Sequence, residues 1–299
     1  MKDILIASVL VGVCGGLVGC GSLGSGGPDA LPAALHERAV AVLRDAVENE
    51  TEWVRVHAAE ALVWNGYADE VRPVFLAEVD SAGPKHRIGV WRVLAQAAPN
   101  AEEREQYTAR IRQAFLDKDG PDRLHAIETL GKLNDGERSD ALAEAARGED
   151  EFGAYARWVM ANGGDAQDEA ALVALVDSDD EGVRSTVGYA LRFFDHVRPA
   201  TLPALSRAVR NEPKDSPARN HLVSAWFVHC PEAQEKAARK RLLAYAGKGS
   251  TAERFEMCNA LARRGDASDI AMLERLLGAA DADVRIGAAH ALLSIGARL

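Results

Sequence analysis

Apolar residues recur along this chain with the spacing of one face of an α-helix. Counted from a series of recurring arginines, apolar side chains stand three, four and seven positions later. This i, i+3, i+4, i+7 spacing predicts a series of amphipathic helices. The recurring residues are Arg55, Arg87, Arg123, Arg184, Arg219, Arg254 and Arg285.

The arginines follow one another with a nearly constant period. Their intervals are 32, 36, 61, 35, 35 and 31 residues, and Phe152 divides the interval of 61 into 29 and 32. Eight units of this length indicate an array of repeats instead of a globular enzyme. Each repeat contacts only its neighbours in such an array, so the core grows along the array.

The arginine-bearing helix of each unit is predicted to begin at a capping residue. Side-chain oxygens four positions before the arginine can accept hydrogen bonds from the first free amides of a helix. These caps are Thr51, Asp119, Asp180, Asp215, Ser250 and Asp281. An earlier helix precedes it, as in segments 37–48, 70–79, 103–116, 170–176, 202–209, 234–245 and 270–277. The repeating unit is therefore predicted to be a helix–turn–helix.

Three segments resemble the HEAT-like repeat family, in the short form known from phycobilin lyases. They are WVRVHAAEAL (53–62), DDEGVRSTVGYAL (179–191) and DADVRIGAAHALLSIG (281–296). The resemblance covers residues 33–299 and implies an all-α fold, a right-handed α-solenoid of about eight repeats. The fourth unit departs from the family pattern at Phe152 and Trp158.

The resemblance also implies that the aspartates and arginines of the repeats form a structural ladder along the solenoid. In this sequence the ladder would comprise Arg55, Arg87, Arg123, Asp119, Asp180, Arg184, Asp215, Arg219, Arg254, Asp281 and Arg285. We expect these residues to support the scaffold and not to take part in catalysis.

The first residues of the chain are predicted to be a targeting segment. The apolar run 4–18 is shorter than the roughly 20 residues of a membrane span and fits a signal peptide over residues 1–19. The sequence Leu17-Val18-Gly19-Cys20 resembles the lipobox of bacterial lipoproteins, which implies cleavage before Cys20 and its lipidation. Residues 20–32 would be a flexible tether, and 33–299 the solenoid. The alternatives are a plain secretory signal or an uncleaved anchor.

This resemblance predicts a location in the cell envelope. The protein would be held by its lipid on the periplasmic face of a bacterial membrane or at the cell surface. The net charge of −10, with no basic stripe, argues against binding to nucleic acid. Cys230 and Cys258 lack metal-binding spacing and would be free thiols or, alternatively, a disulfide.

The sequence offers little catalytic chemistry. His57, His125 and His221 each stand two positions after an arginine in separate units, and packed helices lie about 8–10 Å apart. We therefore expect them not to share one metal ion. No nucleophile elbow, zinc-protease or phosphate-loop motif is present. The sequence predicts a non-enzymatic protein with no metal and no cofactor.

The leading functional hypothesis is a scaffold that binds a protein partner of unknown identity along its concave face. Candidate partner-binding residues are Val56, Ile88, Leu124, Tyr189, Phe193, Phe227, Phe255 and Ile286. Alternatively, several of them pack between neighbouring helices. Charges five positions after the arginine, such as Glu60 and Arg92, alternate in sign and would form exposed pairs. The alternative function is an accessory subunit that presents a chromophore or a protein substrate to an enzyme.

The end of the solenoid leads to one more expectation. The last predicted helix, near 284–295, is followed by no polar capping helix, although terminal repeats normally have a polar outer face. We expect this end to be covered by a partner or to self-associate through the C-terminal repeat.

The lipid anchor can be tested directly. Replacement of Cys20 by alanine removes the only thiol that the lipobox presents to the lipidating enzymes. We expect Cys20→Ala to abolish labelling by radioactive palmitate in growing bacteria, whereas Cys14→Ala should leave the labelling unchanged. Equal labelling of the Cys20→Ala protein and the wild type would contradict the lipoprotein assignment.

Overall fold

The predicted helices are present throughout the part of the chain that the structure describes. The computed structural model describes residues 30–299, and in that range it contains seventeen α-helices, two short 3-10 turns and no strand. The prediction of an all-α fold is confirmed. The helices are α1 (Ala33–Asn49), α2 (Glu52–Trp64), α3 (Ala68–Leu76), α4 (His86–Gln96), α5 (Ala101–Leu116), α6 (Arg123–Lys132), α7 (Asp140–Ala145), α8 (Glu151–Asn162), α9 (Ala166–Ala174), α10 (Glu181–Phe193), α11 (Leu202–Asn211), α12 (Ala218–His229), α13 (Glu232–Leu243), α14 (Tyr245–Lys248), α15 (Thr251–Arg264), α16 (Ile270–Leu276) and α17 (Ala282–Gly296).

The helices fall into an inner set and an outer set. The inner helices carry the recurring arginine position, and they are α2, α4, α6, α8, α10, α12, α15 and α17. Each inner helix packs against the next one along the chain, and the outer helices pack against one or both of their neighbouring inner helices. This arrangement follows from the sequence, because the alternating helices of each unit have one apolar face apiece to bury.

The inner helices form a closed ring. The last inner helix, α17, packs against both α1 and α2, so the circuit of contacts returns to its start. Side-chain contacts connect α2 and α17, where the ring closes. His57 Nδ1 lies 2.9 Å from Asp283 Oδ1, and Asn65 Nδ2 lies 3.0 Å from His290 Nδ1. At the outer surface, Arg38 donates to Glu274 over 2.7 Å. The compact unit Leu31–Leu299 contains the whole ring.

Ring closure changes the expectation for the C-terminal end. The helix α1 packs against α17 and covers part of its surface. Self-association through the C-terminal repeat, or its coverage by a partner, stays a prediction.

The core follows the apolar pattern of the sequence. All eight residues seven positions after the arginine position are buried, from Leu62 in α2 to Leu292 in α17. Small residues let the inner helices approach closely: a Cβ on Gly188 would lie 2.7 Å from the backbone of α12. Trp158 is fully buried because Gly131 of α6 leaves room for its indole ring. A Cβ atom added at Gly131 would lie only 2.5 Å from that ring. The departure at Trp158 is thus compensated in the neighbouring unit.

The arginine row caps the preceding helices at their C-terminal ends. Arg55 Nε donates to Val47 O over 2.8 Å, and Arg123 Nε donates to Phe115 O over 3.1 Å. Arg184, Arg219 and Arg285 likewise donate to carbonyls at or just beyond the end of the helix before them. Cations at helix C-termini are stabilised by the helix dipole.

Some ladder residues depart from this pattern. Arg87 binds the carboxylate of Asp122, and Arg254 Nε has no hydrogen-bond partner among the described residues. In the fourth unit, Phe152 replaces the arginine and packs under the guanidinium of Arg123, with 4.5 Å between Cζ and the ring centroid. An aromatic ring that faces a cation thus takes the place of one arginine.

The predicted helix caps are partly correct. Asp180, Ser250 and Asp281 accept hydrogen bonds from the first amides of α10, α15 and α17, as expected. The assignment of Asp119 and Asp215 was wrong, since both are exposed and neither caps a helix. Here α6 begins after Asp122 and α12 after Pro217. Thr51 stands at the N-terminus of α2 but makes no side-chain hydrogen bond to it.

Several predictions concern residues that the structure does not describe. The signal peptide at 1–19, the lipidation site Cys20 and most of the tether at 20–32 lie outside the described residues. Within residues 30–299, none of the helices is both long enough and apolar enough to cross a bilayer.

Candidate ligand-binding chamber

The ring encloses a chamber at its centre. The chamber has a volume of about 360 Å³, and side chains of seven inner helices line it, all but α8. Its aromatic lining consists of Trp53, Trp64, Tyr189, Phe193 and Phe255. Its charged and imidazole lining consists of His57, Glu60, Arg92, His125, Glu128, Lys132, Arg192, His221, Glu256 and His290. A concave site with both aromatic and polar groups is the usual form of a small-molecule site.

Each of the four chamber histidines packs against an aromatic ring. The centroid distances are 5.0 Å for His57–Phe255, 5.1 Å for His125–Trp53, 5.2 Å for His290–Trp64 and 5.5 Å for His221–Tyr189. These pairs hold the imidazoles at fixed positions in the wall. Within residues 30–299, no group of three or more His, Cys, Asp or Glu side chains is arranged to hold a metal ion.

A buried ion pair crosses from α2 to α4. Arg92 donates from Nε and Nη2 to the two carboxylate oxygens of Glu60, over 2.7 and 2.8 Å. Arg92 also donates to Thr129 over 3.1 Å, and Gln96 donates to Glu60 over 3.1 Å. Burial alone would raise the pKa of Glu60, but Arg92 outweighs it and the pKa lies below its usual value. The pair is therefore ionised, and its desolvation is offset by a nearly complete set of hydrogen bonds.

A second cluster surrounds Glu128. Tyr189 donates its hydroxyl to Glu128 over 2.8 Å, and the Lys132 ammonium lies 2.9 Å from the same carboxylate. Burial opposes the charge on Glu128, but Lys132, His125 and Arg92 together lower its pKa well below the usual value. Burial raises the pKa of Tyr189 well above 10. Glu128 is thus ionised and Tyr189 protonated at neutral pH.

The third cluster has hydrogen-bonding capacity to spare. Arg192 Nε lies 2.7 Å from Glu256 Oε1, and His221 Nδ1 lies 3.6 Å from Glu256 Oε2. The Arg192–Glu256 contact is a close ion pair whose alignment falls short of a hydrogen bond, and the His221 contact is too long for one, so His221 Nδ1 has no hydrogen-bond partner among the described residues. Buried polar atoms without partners are unfavourable unless water or a ligand satisfies them. This part of the wall is suited to bind a polar group.

His290 is a neutral member of the chamber wall. Burial, assisted by Arg192, lowers the pKa of His290 from 6.5 to about 4. Asn65 Nδ2 lies 3.0 Å from His290 Nδ1 and donates to that unprotonated nitrogen. The proton of the neutral ring therefore resides on Nε2, which can donate a hydrogen bond to a bound molecule.

The pKa values of the chamber groups shift in two directions. A general acid or base works best with a pKa near the operating pH. The pKa values of Glu60, Glu128 and Glu256 are lowered, and that of Tyr189 is raised, so these four move away from neutrality. Burial lowers the pKa of Lys132, which moves toward neutrality.

The structure places the candidate partner-binding residues in three environments. Val56, Ile88, Phe227 and Ile286 are buried in the core, so the expectation that they are exposed is wrong and the alternative, packing between neighbouring helices, holds for them. Tyr189, Phe193 and Phe255 lie in the chamber wall and are partly exposed there. Leu124 is 43% exposed and lies outside the chamber lining. The exposed charge pair expected at Glu60 and Arg92 was also wrong, because both residues are buried.

Five residues line the chamber although the sequence did not predict them as site residues: Trp53, Trp64, Lys132, Arg192 and Glu256. A signal for several of them was present in the repeats. His57, His125, His221 and Glu256 all stand two positions after the arginine position, and Trp64, Lys132 and Phe193 stand nine positions after it. Together with the position five residues after the arginine, these positions form one helical stripe.

The two described cysteines take no part in this site. Cys230 and Cys258 are both buried and unbonded, so the alternative of a disulfide between them is wrong for this structure. Burial raises the pKa of Cys258 to about 12, and the residue behaves as a small apolar side chain.

Comparison with known proteins leaves the function open. No protein-family model matches the chain, and no curated protein matches it. Among solved structures, the chain is similar to an engineered protein of the Northeast Structural Genomics Consortium at 16% identity, with 87% of this chain and 96% of that chain covered and a TM-score of 0.34. A second engineered protein of that consortium has 15% identity, covers 88% of this chain and 93% of its own, and has a TM-score of 0.29.

The buried pair gives a stability prediction. Arg92→Met leaves the Glu60 carboxylate buried without its partner, and we expect a loss of about 3–5 kcal/mol in the free energy of unfolding. The double variant Glu60→Leu/Arg92→Met should be more stable than Arg92→Met, because no unpaired charge remains. Arg38→Met is the matched control: it breaks an exposed pair and should cost less than about 1 kcal/mol. Urea unfolding of residues 31–299 measures all three, and similar losses for Arg92→Met and Arg38→Met would disprove the argument.

The lowered pKa of His290 gives a pH prediction. The unfolded state binds a proton below about pH 6.5, whereas folded His290 resists protonation down to about pH 4, so stability falls as the pH falls through this window. Between pH 7 and pH 5, we expect the wild type to lose about 1–2 kcal/mol more than His290→Gln. His229, whose pKa burial also lowers, contributes equally to both proteins. The exposed His36→Gln variant is the control, and parallel pH profiles of His290→Gln and the wild type would refute the prediction.

Proposed function

We propose that this protein is a lipid-anchored bacterial envelope protein, built from eight HEAT-like repeats that close into a ring, and that its central chamber binds a small organic molecule. The observation that carries the proposal is the convergence of aromatic faces and incompletely hydrogen-bonded polar groups on one enclosed space. The HEAT-like assignment and the envelope location rest on the repeat pattern and on the lipobox.

The chamber has the dimensions and chemistry of a ligand site. Its volume of about 360 Å³ lies within the range of small-molecule pockets, about 300–1,000 Å³. The indole and phenyl rings supply apolar contact, and His221 Nδ1 has no hydrogen-bond partner among the described residues. A polar group of a bound molecule that hydrogen-bonds to His221 would remove the cost of this unpaired nitrogen. Binding, with no chemical reaction, accounts for both features.

A chamber that binds a small molecule agrees with the alternative function predicted from the sequence, an accessory subunit that presents a chromophore to an enzyme. A protein-binding scaffold is the second candidate, and two exposed leucines favour it, Leu124 at 43% and Leu116 at 48% exposure. Four of the partner-binding residues predicted from the sequence are buried, so few exposed residues support a protein-binding scaffold. A chamber that takes up no small molecule would favour the scaffold.

Chamber binding can be tested with a neutral fluorescent probe, N-phenyl-1-naphthylamine, whose emission rises in apolar surroundings. Asn259 lines the chamber and makes no side-chain hydrogen bond within the described residues, so Asn259→Trp fills space without removing a contact. We expect saturable binding at one site in residues 31–299, weakened at least about tenfold by Asn259→Trp, since a filled pocket loses most of its apolar contact.

The matched control is Ala237→Trp, which adds the same indole on the exposed surface of α13. This variant should bind the probe as the wild type does, and circular dichroism should show that both variants fold. Absence of saturable binding to the wild type, or equal binding by Asn259→Trp, would refute the proposed function. Recovery of an organic molecule from the purified protein by mass spectrometry would support it.

A further inference from the structure

The chamber adjoins a second cavity, which we name the vestibule. The vestibule has a volume of about 470 Å³ and shares Trp64, Lys132, Arg192, Phe193, Asn259 and His290 with the chamber. It lies at the C-terminal ends of the inner helices, since Trp64, Lys132 and Phe193 are the last residues of α2, α6 and α10. The two cavities are therefore adjacent, and the six shared side chains line both.

The charged side chains that line the vestibule are all positive. Among residues 30–299, its lining contains four cationic side chains, Lys132, Arg192, Arg263 and Arg298, and no carboxylate. This is unexpected in a chain with a net charge of −10. A cavity lined by one sign of charge attracts ligands of the opposite sign.

The four cations differ in how far they are neutralised. Lys132 and Arg192 form ion pairs with Glu128 and Glu256 of the chamber, so they add little net charge. Arg263 pairs only with Asp195, at 3.2 Å, whose side chain is 92% exposed, and a solvated pair of this kind is weak. Arg298 has no ion-pair partner within residues 30–299. The excess positive charge of the vestibule thus resides on Arg263 and Arg298.

Both arginines also cap helices, but capping does not neutralise them. Arg263 donates to Phe193 O and Phe194 O at the end of α10, over 3.3 and 2.7 Å. Arg298 donates to Ala262 O, Gly265 O and Leu261 O around the end of α15, over 2.7, 3.0 and 3.4 Å. A helix C-terminus carries about half a negative charge, less than the full charge of a guanidinium. Burial lowers the pKa of both arginines.

Apolar surface lies next to these cations. Trp64 is 47% exposed and packs against His290, and Phe193 lies in the wall of both cavities. An exposed tryptophan beside a cavity commonly marks a binding surface. A molecule that fits both features has an apolar body and one anionic group.

We propose that the ligand is a small organic anion that places its apolar body in the chamber and its carboxylate, or another anionic group, beside Arg263 and Arg298 in the vestibule. This inference rests on the proposed function and adds the chemical class and the orientation of the ligand. The guanidinium groups recognise the anion through charge-assisted hydrogen bonds.

A matched pair of probes tests the class of ligand. 8-Anilinonaphthalene-1-sulfonate has the skeleton of N-phenyl-1-naphthylamine with an added sulfonate, so the two differ by one negative charge. We expect residues 31–299 to bind the sulfonate at least about tenfold more tightly than the neutral probe, because charge-assisted hydrogen bonds are stronger than neutral ones. The double variant Arg263→Gln/Arg298→Gln should remove this preference and leave the affinity for the neutral probe unchanged.

The controls separate a failure of this inference from a failure of the proposed function. Arg285→Gln removes a capping arginine elsewhere, one that donates to Ala279 O and Ala280 O, and it should keep the preference for the sulfonate. Equal affinity for the two probes, both abolished by Asn259→Trp, would overturn the anion site while leaving chamber binding intact. No binding of either probe would overturn both. Thermal unfolding of each variant verifies that it is folded.

Discussion

The packing of α17 against α1 and α2 is the contact on which the rest of the structure depends, because it turns a row of repeats into a ring. In an open row, charges on the inner face would remain hydrated, and each exposed pair would contribute about 0–1 kcal/mol. In the ring these carboxylates are buried. A buried carboxylate is stable only beside a cation, and Glu60, Glu128 and Glu256 lie beside Arg92, Lys132 and Arg192.

Features set by neighbouring residues were predictable from the sequence. The helices and the buried position seven residues after the arginine follow from helical spacing, and the arginines bind carbonyls of the preceding helix. The prediction of caps failed where proline intervenes. Pro121 and Pro217 lie between the expected caps and the helices, and α6 and α12 begin only after Asp122 and Pro217. A fixed offset from the arginine cannot account for such local shifts.

Closure of the ring was not predictable in the same way. It depends on small rotations between neighbouring repeats that add up over eight units, and it brings together residues as distant as Leu31 and Gly296. No local pattern encodes that sum. The sequence does contain a signal for the chamber. His57, Glu60 and Trp64 stand two, five and nine positions after Arg55 and form one stripe along the helix. The prediction of binding residues used the position one residue after the arginine, which is Val56 in the first unit. Val56 is buried in the core, whereas the next residue, His57, lines the chamber, because successive helix residues are about 100° apart.

Enclosure also constrains what the chamber can accept. Its carboxylates and cations are matched, so a charged group of a ligand in the middle would have to break an existing pair, and an unpaired buried charge costs several kcal/mol. At the vestibule, Arg263 and Arg298 lack a buried carboxylate, and the same anionic group would meet no such cost. The orientation of a ligand therefore follows from where charge is already balanced. We expect the apolar part of the ligand to lie among the aromatic rings of the chamber and its charged group to lie in the vestibule, at the C-terminal ends of the inner helices.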